Sequence, residues 1–159
     1  MEIIYLRKLL ENSTIGKSTI RGVSEEKIVS VEEKFDIRFP VVYREFLHLA
    51  GAYCGALPLY DTASLEELSS DWHQEIMKET MTEYGTVLDR PFWLYAESNG
   101  CEQFAFFYLD DGDDPYIYRV DYDYQNDEKQ TVTKSEFTFS QVIDKAIDRA
   151  YDITERGIW

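Results

Sequence analysis

The stretch Phe104-Ala105-Phe106-Phe107-Tyr108-Leu109 carries large apolar side chains at consecutive positions, and an extended chain sends them alternately to opposite sides. Such a strand must be covered on both faces, so the sequence predicts a central strand with other layers above and below it. Phe92 to Ala96 and Tyr116 to Tyr124 also show a period of two. The Asn99-Gly100 pair and the Asp110 to Pro115 turn separate the three runs, which predicts an antiparallel meander. The third run sets Tyr116, Tyr118, Val120, Tyr122 and Tyr124 against Ile117, Arg119, Asp121 and Asp123, giving one aromatic face and one mostly charged face.

Ahead of this sheet the period is helical. Ile3, Leu6 and Leu10 share a face of a short first helix, which the polar stretch from Asn12 to Gly22 interrupts. Ser24 is an N-cap followed by Glu25 and Glu26 at the positive end of the dipole, opening a helix with Ile28, Val31 and Phe35 in its buried stripe. Pro40 sits where a first helical residue belongs, and Tyr43, Phe46, Leu47 and Ala50 then recur until Gly51. Ser64 with Glu67 makes a capping box for a helix whose Leu65, Leu68, Trp72 and Ile76 share a face. Thr138 with Gln141 makes another, for a helix carrying Val142, Ile143, Ala146, Ile147 and Ala150. With 159 residues and 44% apolar content, the expectation is one α+β domain over 1–159, a mostly antiparallel sheet packed by helices.

Charge narrows the class of partner. Between Glu97 and Glu128 lie ten acidic residues and one base, Arg119, so about nine of the fifteen net negative charges sit on a fifth of the length. A field of that sign repels phosphates, which argues against nucleic acid or an anionic membrane as ligand, since both require a basic surface. A basic protein fits, although a solvated face that aids solubility is the plainer reading of such a run. The N-terminus MEIIYLRKLLEN has early charges and no cleavage site, and no apolar run approaches the ~18 residues of a membrane span, so a cytoplasmic protein is expected. Cys54 and Cys101, with no CxxC pair, suit a reducing compartment and are expected as buried thiols.

Few residues suggest chemistry. Asp110, Asp111, Asp113 and Asp114 around Gly112 offer oxygens to a hard cation, but their register is not that of an EF-hand loop, and Asp, Gly and Pro form a solvated turn first. His48, His73, Cys54 and Cys101 contain no closely spaced ligand pair, so no metal site is expected. Cys101 is the one candidate nucleophile. Without a GxSxG elbow or a Gly-rich phosphate loop, neither an enzyme nor a cofactor is expected. Most tyrosines are expected in the core, with Tyr122 and Tyr124 as interface anchors beside the acids. The expected partner-binding surface is therefore Asp110, Asp111, Asp113, Asp114, Asp121, Tyr122, Asp123, Tyr124, Asp127 and Glu128.

The run Ile28-x-x-Val31-Glu32-x-x-Phe35-x-Ile37-x-Phe39-Pro40-x-x-Tyr43-Arg44-x-Phe46-Leu47, closing at Gly51, resembles the opening signature of the SUKH superfamily. That signature is an amphipathic helix, a short Leu-Pro-x-x-Tyr junction and a second helix ending at a small residue; Phe39 here replaces the leucine, and Ala50-Gly51 an Asn-Gly. The order continues through Gly55-Ala56-Leu57-Pro58-Leu59, the Ser64 to Leu68 helix start, the strands from Phe92 to Val120 and Phe137-Thr138-Phe139-Ser140, covering about 24–151. The helical stretch from Trp72 to Glu83 departs from it as an insertion. The resemblance implies an α+β domain without catalytic residues. It implies an immunity protein that binds and neutralises a cognate toxin domain, often a nuclease or deaminase, of a bacterial polymorphic or contact-dependent system. The alternative it implies is an intracellular interaction module with an endogenous partner, similar to fungal cell-wall-assembly regulators. A nuclease toxin is expected to be basic, so acidity and resemblance point to the same partner, and both leave the oligomeric state open.

Overall fold

The computed structural model describes residues 1–123 and 129–157, apart from the side chains of Ile76, Tyr122, Asp123, Lys129 and Gln130. The chain opens with α1 (Arg7–Glu11), which buries Leu9 and, just ahead of it, Leu6, while Leu10 is 51% exposed. The expected Ile3, Leu6, Leu10 stripe is displaced because the chain before Arg7 is not helical. There the backbone N–H groups of Ile4, Tyr5 and Leu6 donate to the carboxylate of Glu45, which is fully buried, at 2.8, 3.0 and 2.9 Å. A hairpin of β1 (Thr14–Ile15) and β2 (Ser18–Thr19) follows in the stretch expected to be irregular, and it seats Ile15 in the core.

The next two helices form as the sequence predicts. In α2 (Glu25–Phe35) the Ser24 side chain accepts from the N–H of Lys27, and Ile28 and Val31 are buried. In α3 (Val41–Ala50) Tyr43, Phe46, Leu47 and Ala50 all face inward, and Pro40 precedes the first turn. The single helix expected from Ser64 is instead two, α4 (Leu65–Leu68) and α5 (Asp71–Glu83). Ser70 causes the break: its side chain accepts from the N–H of His73 at 3.0 Å and starts a new helix. The restart rotates the apolar stripe. His73, Met77 and Met81 turn inward, and Trp72, expected in the core, is 65% exposed.

The sheet comprises β3 (Phe92–Ser98), β4 (Gln103–Tyr108), β5 (Tyr116–Asp123) and β6 (Lys129–Thr138) in that order, every neighbour antiparallel. The meander and the interior place of β4 match expectation, and Phe104, Phe106 and Phe107 are fully buried although they alternate across the strand. The fourth strand was not foreseen. Thr131, Val132, Thr133 and Lys134 are exposed, so β6 shows no buried face to read, and it is held by main-chain pairing such as Arg119 with Thr133. The faces of β5 are also less distinct than predicted, with Ile117 and Val120 both buried and Tyr116 43% exposed. Finally α6 (Phe139–Arg156) starts at the expected Thr138–Gln141 capping box.

One face of the sheet packs on α3 and α6 through rings. Tyr43 lies 5.1 Å from Phe107 and 5.6 Å from Phe139, and Tyr95 lies 5.0 Å from Phe139, between centroids. The Tyr43 hydroxyl accepts from the Trp93 indole at 3.0 Å, which satisfies two polar groups inside this layer. Each such ring contributes about 1.5–3 kcal/mol by burial and each good pair about 0.5–1.5 kcal/mol more. The other face carries Phe92, Phe106, Tyr108 and Tyr118 in mutual contact, with Arg90 over Tyr108 at 4.1 Å and Lys134 over Tyr116 at 4.5 Å. These cations shield the partly exposed end of the ring ladder from water.

Candidate functional site

Among the described residues the acidic run does not form one patch. It divides between the two ends of β5, which as an eight-residue strand is about 25 Å long. At the first end the turn Asp110 to Pro115 serves the fold. Arg90 pairs with Asp110 at 2.5 Å and with Asp111 at 2.7 Å, and the guanidinium holds the Asp110 carboxyl below its usual range. The Asp113 carbonyl accepts from Val42 N–H at 3.0 Å in the first turn of α3. Asp114 accepts from Ser140 N–H at 2.9 Å, Ser140 Oγ at 2.6 Å and Thr138 Oγ1 at 2.9 Å, so its charge sits on the positive end of α6. Helix N-termini expose unpaired donors, and this turn satisfies three of them, the N–H groups of Val42, Phe139 and Ser140, at the starts of two helices. Of its four carboxylates, Asp113 alone is exposed without a hydrogen bond or ion pair among the described residues.

At the second end Asp121 is half-buried opposite Thr131. Tyr122 and Asp123 continue the strand opposite Gln130 and Lys129; their side chains, and Tyr124, Asp127 and Glu128 entirely, lie outside the described residues. Val120 pairs with Phe104, so this end lies beside the β3–β4 turn. Helix α5 reaches the same turn, where Thr80 Oγ1 donates to the Gly100 carbonyl at 3.4 Å.

Helix α5 brings a second group of acids that sequence reading passed over. Asp71, Glu75, Glu79 and Glu83 are all exposed at four-residue spacing. Asp71 pairs with Lys34 at 2.7 Å, and Glu75, Glu79 and Glu83 have no ion-pair partner among the described residues. Trp72 shares their face, lying three, seven and eleven residues before them. The spacing was legible, but the break at Ser69-Ser70 was not, and without it Trp72 belongs to the buried stripe. Near Asp121, Arg119 donates to the Tyr60 hydroxyl at 3.3 Å beside a cavity of about 290 Å³ lined by Tyr95, Ile117, Phe137 and Val142.

Beneath the β3–β4 turn lies a buried polar cluster. Glu97 Oε2 accepts from the Cys101 N–H at 2.9 Å, His73 Nε2 is 3.8 Å from Glu97 Oε1, and Cys101 Sγ is 3.7 Å from the same nitrogen. Burial, with a smaller contribution from the Glu97 charge, pushes the Cys101 thiol up to about 12. A cysteine–histidine relay uses one ring nitrogen for the nucleophile and the other for the orienting acid. Here both contacts fall on Nε2, so the candidate nucleophile of the sequence is not arranged as one. Of the other two potential ligands, His48 is exposed on α3 and Cys54 is half-buried, and neither joins the cluster. Among the described residues no helix is long and apolar enough to cross a membrane.

A model of the SMI1/KNR4 family (SUKH-1) matches residues 22–145. The chain belongs to this family. A search of the curated proteins found no match. The SUKH-1 span runs from α2 into the first turns of α6 and includes the whole four-stranded sheet. Family membership is consistent with an immunity protein or a regulator-like domain, and so with a protein as partner. The strap before α1 and the β1–β2 hairpin lie outside the matched span, and Glu45 of α3 ties the strap to it.

Proposed function

We propose that this SUKH-1 chain is a cytoplasmic immunity protein that binds and neutralises a cognate, basic, nuclease-type toxin domain. The exposed Trp72 beside the unpaired Glu75, Glu79 and Glu83 carries this reading. Tryptophan is among the residues that most often dominate binding energy, and a row of free carboxylates around it selects a cationic surface. The proposed contact surface is the end of the sheet at the β3–β4 turn. It comprises the α5 face and Asp121, with Tyr122, Asp123, Tyr124, Asp127 and Glu128 assigned to the contact from sequence alone, while Asp110, Asp111 and Asp114 are engaged within the fold. Net charge of −15 speeds encounter with a basic toxin, and the aromatic anchor slows release.

The test is to titrate the protein against the toxic domain encoded beside its gene, measuring association rate at two salt concentrations. Tight binding whose association slows as salt rises is the expected result. Trp72→Ala should weaken it at least tenfold, about 1.4 kcal/mol or more, and reversing Asp121 and Asp123 should flatten the salt dependence. Absence of binding at both salts overturns the immunity reading and directs the search to an endogenous partner.

A further inference from the structure

We propose that His73, Glu97 and Cys101 together bind one zinc ion. Their ligand atoms, Nε2, a carboxylate oxygen and Sγ, all lie within 4.8 Å of one another, and the three residues are 4%, 6% and 0% exposed. The 3.8 Å from His73 Nε2 to Glu97 Oε1 is too long for a hydrogen bond, which ends near 3.5 Å. An ion closes that gap. Zinc bonds of about 2.0 Å to imidazole and carboxylate and about 2.3 Å to thiolate place N and O about 3.3 Å apart, and N and S about 3.6 Å apart, at tetrahedral angles. The observed 3.8 and 3.7 Å differ from these values by half an ångström or less, a shift within reach of side-chain torsions.

Two further observations favour a site over a chance meeting of polar groups. Glu97 Oε2 accepts from the Cys101 N–H at 2.9 Å, which orients the carboxylate and leaves Oε1 to ligate, the kind of outer support that metal ligands use. The backbone holds Asn99, Gly100 and Cys101 successively at φ of 56, 64 and 68°. A cysteine in that region is strained where a glycine would not be, and the turn brings its buried sulfur against His73.

The donor set selects the ion. One nitrogen, one sulfur and one oxygen suit borderline-soft zinc, whereas calcium and magnesium require oxygen shells. Binding converts the Cys101 thiol to thiolate, its proton passing to solvent, and three protein ligands leave the fourth tetrahedral position to a water molecule. The simpler arrangement, a protonated thiol against the imidazole with no ion, predicts a protein indifferent to zinc.

Cobalt(II), a spectroscopic substitute for zinc, separates the two. Untagged full-length protein, stripped with chelator, is titrated with cobalt and then zinc. The expected result is a near-ultraviolet sulfur-to-cobalt band that saturates at one ion per chain and disappears as zinc is added. Cys54→Ser should keep the band and Cys101→Ser should lose it. Zinc at a hundredfold excess over its dissociation constant should raise the melting temperature by roughly 5–10 °C. Wild-type protein without the band, or with a melting temperature unmoved by zinc, overturns the proposal whether or not the variants fold. A band that survives Cys101→Ser also overturns it. The inference stands apart from the toxin reading, since neither measurement involves a partner.

Discussion

Replacing Glu45 tests how the chain start is held to the matched SUKH-1 span. The carboxylate lies on α3, is fully buried, and accepts from three consecutive backbone N–H groups at 2.8–3.0 Å. Hydrogen bonds to a charged group contribute about 1.5–3 kcal/mol each, and a buried donor left without a partner costs about 1–3 kcal/mol. Water can reach the part-buried N–H groups of Ile4 and Tyr5, but the Leu6 N–H is enclosed. Glu45→Ala is therefore expected to destabilise by about 3–5 kcal/mol, lowering the melting temperature by roughly 10 °C in a chain of this length. Glu45→Gln keeps one oxygen for Tyr5 and Leu6 but turns an amide toward Ile4, so its expected loss is about 1–2 kcal/mol. Urea unfolding gives both values, and hydrogen exchange at residues 4–11 should accelerate in the same order. An alanine variant within about 1 kcal/mol of wild type, or equal losses for the two variants, would refute this account of the strap.

Asp114→Ala removes three acceptor contacts at the start of α6 and should cost about 2–3 kcal/mol in urea unfolding, while Asp113→Ala, which keeps the carbonyl bonded to Val42, should change stability by under ~0.5 kcal/mol. Ser70→Ala loses the cap of α5 at about 1 kcal/mol, whereas Trp72→Ala, removing an exposed ring, should alter the melting temperature by only about 1–2 °C. A large loss at Trp72 would show that the ring packs inward. Asp144 has a buried Oδ1 with no hydrogen-bond partner among the described residues, and burial, reinforced by Asp148 and Asp114 against Lys8, raises its carboxyl above the ordinary 3.8. A raised carboxyl destabilises the fold once ionised, so Asp144→Asn should melt higher than wild type at neutral pH. The gain should vanish below 3.8, where the wild-type carboxyl is protonated in both states; a variant that melts lower at neutral pH contradicts this sign.

Local rules determined much of this protein. Ser24, Thr138 and Gln141 fix helix starts through contacts spanning a few residues, and the run from Phe104 to Leu109 demands cover on both sides, so α2, α3, α6 and the inner strands could be read from sequence. Strand β6 escaped because it is an edge strand whose exposed residues carry no periodic signal, and the β1–β2 hairpin because each strand is only two residues long. Only the tertiary structure decided what the acids do. Adjacent aspartates in sequence have opposite fates, Asp114 neutralising a helix dipole and Asp113 facing solvent, because the loop's path between α3 and α6 sets which carboxylate meets a donor. Likewise His73, Glu97 and Cys101 meet because α5, β3 and the β3–β4 turn converge, and spacing along the chain encodes no such convergence. Sequence determined the capped helices, the inner strands and the sign of the charge through short-range chemistry; the fold determined which charges are free, because pairing depends on distances that long-range packing sets.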